Sequence, residues 1–170
     1  DEAYNDYVMD KDYRSMVYLV KEGLNVIVTR TFSKIHALAG IRVGYGVANP
    51  EIVSKLEPLI TGTVNILGLR AAMASLEDDS FQELSREKNL EAKQTVYEVL
   101  EQTGRKYAYS EGNFIFFHTG KPIKEFQAIM EEKGIRVGRP FPPFENWCRL
   151  SMAKPNEMRK FANDFKDVMA

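Results

Sequence analysis

The densest chemistry in this sequence lies in Thr31-Phe32-Ser33-Lys34-Ile35-His36-Ala37-Leu38-Ala39-Gly40-Ile41-Arg42-Val43-Gly44-Tyr45-Gly46. Lys34 follows the hydroxyls of Thr31 and Ser33 and precedes Arg42, which stands between Gly40 and Gly44. A lysine that forms a Schiff base needs an amine that is neutral part of the time, and nearby cations or desolvation lower its pKa. Arg42 and an apolar surround can supply both, so the stretch suits an amine nucleophile beside an anion cradle. No G-x-x-x-x-G-K-[ST] pattern accompanies the lysine, which argues against a nucleotide P-loop.

The elements around it must hold these groups in place. Val26-Ile27-Val28 reads as a buried strand, within a predicted strand over residues 25–30, and delivers the lysine loop at its C-terminal end. Open α/β sheets keep their ligands there. Residues 13–22 read as a helix closed by Gly23, and residues 41–48 as the next strand. Asn49-Pro50-Glu51 combines an N-cap, a first-position proline and an early acid, so a helix follows. From Val64 to about Thr103 the pattern is helical with a break at Glu77-Asp78-Asp79-Ser80, and Gly104 closes it. After that the rhythm is of a small α+β unit. Strands are predicted at 106–109, 113–118, 135–137 and 148–152, with helices at 122–133 and 155–170. Met158, Phe161, Phe165 and Met169 form a helical stripe that reads as core. Gly138-Arg139-Pro140-Phe141-Pro142-Pro143-Phe144 is a stiff aromatic loop that either lines a substrate pocket or covers a sheet edge.

The 170 residues have room for about one domain and a real core, with the composition of an ordinary soluble globular protein. A net charge of -1 with interspersed signs implies neither a nucleic-acid partner nor an anionic membrane surface. Cys148 is the only cysteine, and His36 and His118 stand far apart, so neither an internal disulfide nor a metal site is expected. No apolar run reaches the ~18 residues of a membrane helix, and no signal peptide is visible, which leaves the cytoplasm as the default compartment.

At Ser33-Lys34, at Ala39-Gly40-Ile41-Arg42-Val43-Gly44-Tyr45 and at the opening Asp1-Glu2-Ala3-Tyr4, the sequence resembles the class I/II pyridoxal-phosphate enzymes of fold type I. These have the aspartate aminotransferase fold, and the resemblance is to their histidinol-phosphate aminotransferase-like branch. It implies an α/β fold: the C-terminal part of the PLP-dependent transferase fold, with a partial large-domain sheet over residues 1–80 and an α+β small domain over 81–170. In the family the Asp-Glu-Ala-Tyr motif lies deep inside a longer chain, so the expectation is a chain that starts mid-domain.

By the same resemblance, pyridoxal 5'-phosphate is the cofactor and Lys34 carries it as a Schiff base, then shuttles the substrate's α-proton. Thr31, Ser33 and Arg42 hold the phosphate, Asp1 pairs with the pyridine nitrogen, and Tyr4 hydrogen-bonds the ring oxygen. Arg149, inside Trp147-Cys148-Arg149-Leu150-Ser151, grips the substrate carboxylate. Asn113 and Arg139 are further substrate-side candidates, as is Arg136. Ser151-Met152-Ala153 departs from the glycine-threonine ending usual in relatives. The implied partners are an amino acid or amino-alcohol phosphate, a 2-oxo acid and a second copy of the chain in a homodimer. A truncated, non-catalytic remnant that self-associates stays open as an alternative, as does a decarboxylase or lyase on the same scaffold.

Overall fold

In the computed structural model, which describes residues 1–169, the chain divides into two units, Asp1–Leu84 and a second beginning at Ser85. The first is built on a pair of short antiparallel strands, β1 (Val28–Thr31) and β2 (Gly44–Val47), with Val28 opposite Val47 and Thr31 opposite Gly44. The ladder starts at Val28 because β2 offers no partner beyond Val47. The strand expected over residues 25–30 is therefore displaced to 28–31, and of Val26-Ile27-Val28 only Val28 is buried, Ile27 being 47% exposed. Gly44 has no room for a side chain, since a Cβ there would meet the Arg30 carbonyl oxygen at 2.8 Å. Gly44→Ala is expected to push the strands apart and cost about 1–3 kcal/mol, read as a lower midpoint in thermal unfolding.

The helix expected over residues 13–22 shrinks to α1 (Val17–Lys21). Its start is delayed because the Met16 N–H donates to the Glu2 carboxylate at 2.7 Å, and Gly23 ends it at φ +80°. α2 (Pro50–Leu56) begins as its residue types dictate: the Asn49 side chain accepts the Ile52 N–H at 3.0 Å. Asn65 caps α3 (Ile66–Leu76) in the same way through the Leu67 N–H. Phe32, Val43 and Ala72 form this unit's small core, with Leu38 and Ile41 packed against it.

The predicted break at Glu77-Asp78-Asp79-Ser80 separates α3 from α4 (Asp79–Gln102). The Asp78 carboxylate makes the new start by accepting the Phe81 N–H at 3.0 Å and the Ser80 hydroxyl at 2.7 Å. Gly104, at φ +65°, follows the other end.

In the second unit, β3 (Tyr107–Ala108), β4 (Phe114–His118) and β5 (Trp147–Ser151) form an antiparallel sheet in that order. β4 alternates: Ile115 and Phe117 are buried, while Phe114, Phe116 and His118 are half-buried on the other face. α4 packs Ala92, Val96, Val99 and Leu100 into the core, α5 (Ile123–Glu132) adds Phe126 and Met130, and α6 (Pro155–Met169) adds Met158, Phe161 and Phe165. The Met158-Phe161-Phe165 stripe is core, as expected; Ala170 lies outside the described residues. Lys93 is buried too, its amine donating to the Ser110 carbonyl oxygen at 2.6 Å while burial pushes its pKa down.

No strand forms over residues 135–137, against expectation. The Ile135 N–H donates instead to the Met130 carbonyl on α5 at 2.9 Å, and just beyond the segment the Gly138 carbonyl accepts from the Gln127 side chain at 2.8 Å. Among the described residues no helix is long and apolar enough to cross a membrane.

Candidate functional site

Just past β1 the chain turns through Phe32, buried beneath the loop, and exposes Ser33 and Lys34 partway. Short backbone bonds hold this turn: the Ala37 N–H donates to the Lys34 carbonyl at 2.9 Å and the Leu38 N–H to the Phe32 carbonyl at 3.0 Å. The Thr31 hydroxyl oxygen accepts the Ser33 N–H at 3.1 Å, so Thr31 shapes the loop directly. Ala37 (φ 56°) and Arg42 (φ 61°) are the non-glycine residues with positive φ among those described, and both lie in this segment. Such backbone costs about 1–3 kcal/mol per residue and persists where the surroundings enforce it, typically at functional sites.

The left-handed turn at Arg42 sends its guanidinium back across the loop, where it donates to the Ala39 carbonyl at 2.9 Å and reaches the Ser33 hydroxyl at 3.5 Å. On the other side the Lys34 Nζ lies 5.3 Å from the centre of the Tyr4 ring. Tyr4, Thr31, Ser33, Lys34 and Arg42 are thus brought together within the first unit. Asp1 is exposed, and its carboxylate accepts the Ala3 N–H at 3.0 Å.

Two features beneath this cluster were not singled out from the sequence. His36 is buried against Phe32, with Nδ1 at 2.8 Å from the Ser75 hydroxyl and Nε2 at 3.8 Å from the Asp6 carboxylate. Burial lowers its pKa despite the opposing pull of Asp6 and Ser75, which favours the neutral ring. The second feature is Glu2, whose carboxylate is only 7% exposed and takes Arg30 at 2.9 Å, the Ser15 hydroxyl at 2.9 Å and the Met16 N–H. Burial works to raise its pKa, but those bonds hold it below the ordinary carboxylate range. A buried acid facing Arg30 on β1 leaves no periodic trace in the sequence. The one available signal was an acid directly beside Asp1.

The remaining candidates belong to the second unit. Arg149, half-buried on β5, lays its guanidinium over the Phe114 ring at 4.1 Å. Arg139 is exposed, stacks over Phe141 at 4.2 Å and donates to the Pro140 carbonyl at 3.4 Å. Asn113 precedes β4, and its carbonyl accepts the Met152 N–H at 2.8 Å. Arg136 pairs with Glu131 at 3.2 Å on the surface. In the aromatic loop, Phe141 and Phe144 pack edge-on against Phe116, which stacks on Trp147 at 5.1 Å.

A lysine beyond a strand end, backed by an arginine and hydroxyls, defines a class that comparison with known proteins makes explicit. The model of the family "Aminotransferase class I and II" matches residues 1–165, and this chain belongs to that family. A histidinol-phosphate aminotransferase of Moorella thermoacetica is 38% identical over the whole chain, which covers 45% of that relative. A solved structure from Erwinia carotovora atroseptica shares 39% identity at a TM-score of 0.95, over 98% of this chain and 49% of that one. The histidinol-phosphate aminotransferase of Sinorhizobium meliloti, solved in complex with pyridoxal-5'-phosphate, shares 28% identity at a TM-score of 0.86, over 99% and 47%. The fold is therefore mixed α/β of the aminotransferase kind, and the chain spans about half the length of the relatives it matches.

Proposed function

We propose that this chain acts in pyridoxal-phosphate-dependent amino transfer between a histidinol-phosphate-type or aromatic amino compound and a 2-oxo acid, with Lys34 as the Schiff-base lysine. One observation carries the reading: the Lys34 amine stands beside the Tyr4 ring, while Arg42 is turned back toward the Ser33 hydroxyl on the same loop. That donor set fits the cofactor. It offers an amine for an aldehyde, a guanidinium and a hydroxyl for a phosphate, and a phenol for a ring oxygen. The Sinorhizobium meliloti relative, solved with pyridoxal-5'-phosphate, supports the assignment.

Bound there, the cofactor supplies the aldehyde that accepts an amino group and the ring that withdraws electrons from the substrate's α-carbon. Lys34 would be the amine that holds the cofactor and the base that moves the proton at the substrate's α-carbon. Arg42 and Ser33 neutralise and orient the phosphate, with Thr31 holding Ser33 in place. Tyr4 donates to the ring oxygen, and the Asp1 carboxylate keeps the pyridine nitrogen protonated. In the second unit, Arg149 takes the substrate carboxylate, and Arg139 and Asn113 are the further substrate contacts. The first unit acts as the cofactor-holding part and the second as the small domain.

The functional form is a homodimer in this reading, supported by exposed Leu59, Ile60, Ile66 and Leu67 in the first unit. A monodisperse monomer in light scattering would contradict it. The chemistry is tested by offering histidinol phosphate or an aromatic amino acid with and without a 2-oxo acid. Amino transfer that depends on the 2-oxo acid is expected. Carbon dioxide release without transfer would instead assign a decarboxylase on this scaffold, and neither product would leave a non-catalytic chain.

A further inference from the structure

The Asp1–Tyr4 segment and the Lys34 loop belong to different stretches of chain, yet the proposed site needs them at a fixed spacing. In this structure the segment meets β1 through Glu2. Its N–H donates to the Thr29 carbonyl at 2.8 Å, and its carboxylate takes Arg30 through Nε at 3.1 Å and the terminal nitrogen at 2.9 Å. Ser15 and the Met16 N–H complete the carboxylate's partners, so its charge is matched although nearly buried.

Arg30 continues the connection toward the loop. It stands opposite Tyr45 in the β1–β2 ladder and donates to the Tyr45 hydroxyl, and the Tyr45 ring packs on Phe32 at 5.8 Å. Phe32 in turn packs on His36 at 4.8 Å, and these two residues flank Lys34 in the loop sequence. A contiguous chain of contacts therefore runs Glu2, Arg30, Tyr45, Phe32, His36; Tyr4 follows Glu2 by two residues, and Lys34 lies midway between Phe32 and His36 in the backbone of the loop.

We propose that Glu2, paired with Arg30, is the positioning residue that sets the spacing of Asp1 and Tyr4 from Lys34, an assignment that rests on the cofactor reading above. Glu2 touches neither the reacting atoms nor the phosphate. Its part is to register the two halves of the cofactor site, so that ring contacts and amine are correctly placed together.

The test compares the parent chain with Glu2→Gln, Glu2→Ala and the double variant Glu2→Ala/Arg30→Met, which removes both charges and so leaves none buried alone. Hydrogen exchange without cofactor is the first readout. Faster exchange, on the order of tenfold or more, is expected at Asn5 and Tyr7 and also at Ala37 and Leu38, with β4 amides unchanged as the control for folding. Acceleration confined to Asn5 and Tyr7, with Ala37 and Leu38 as in the parent, would overturn the proposal. The second readout is the dissociation constant for pyridoxal phosphate, expected to rise about tenfold to hundredfold in Glu2→Ala and in the double variant, and less in Glu2→Gln. A double variant that binds as tightly as the parent would also overturn it. Should the parent itself take no pyridoxal phosphate at Lys34, the cofactor reading falls, and the exchange experiment alone decides whether Glu2 registers the segment and the loop.

Discussion

Lys34→Ala is expected to abolish covalent capture of pyridoxal phosphate and to lower amino transfer by about 10²–10⁴-fold, the usual worth of a positioned proton-transfer group. The loop that carries Lys34 is held by backbone bonds to Phe32 and Lys34 itself and by left-handed residues at Ala37 and Arg42, none of which needs the amine. The variant should therefore fold as the parent does. Arg42→Ala makes the contrasting case: capture by Lys34 persists, but cofactor affinity drops about tenfold to hundredfold, as expected for a lost hydrogen-bonded charge. Equilibrium dialysis with pyridoxal phosphate, run beside the transfer assay, separates the two.

Phe117→Ala is expected to have the largest effect on stability. Phe117 is fully buried on β4, with edge-on contacts to Phe126, Phe161 and Phe165 at 6.0, 6.4 and 5.5 Å. Two helices, α5 and α6, converge on this ring, so they cannot close over the void without moving together. A loss of about 3–5 kcal/mol follows for a buried phenylalanine, enough to remove much of the stability of a small unit. Denaturant unfolding followed by tryptophan emission is the direct check, because Trp147 sits opposite His118 on the strand paired with β4. The first unit's Lys34 loop lies outside this core.

Much of this was legible in the residues because the relevant signals are local. The lysine segment, the Asn49-Pro50 cap, the break before Asp79 and the phenylalanine stripe of α6 each depend on spacing within a few residues. Features fixed by distant partners were not legible. Ile135 to Val137 has the composition of a strand, but the Ile135 N–H is taken by the end of α5 and the Gly138 carbonyl just beyond by Gln127. Lys93 sits in a predicted helix, where a lysine is ordinarily exposed, yet the Ser110 carbonyl draws its amine inside. Glu2 looks like an ordinary acid beside Asp1, and only the folding of β1 brings Arg30 to it. At the candidate site, the sequence marked the groups suited to chemistry and missed those that hold them.

Whether Lys34 is the cofactor lysine is read by incubating the purified chain with pyridoxal phosphate, reducing with borohydride and mapping the adduct by peptide mass spectrometry. One dominant modified peptide, carrying the label on Lys34, is expected. Labelling scattered over surface lysines, or absent altogether, would contradict the assignment.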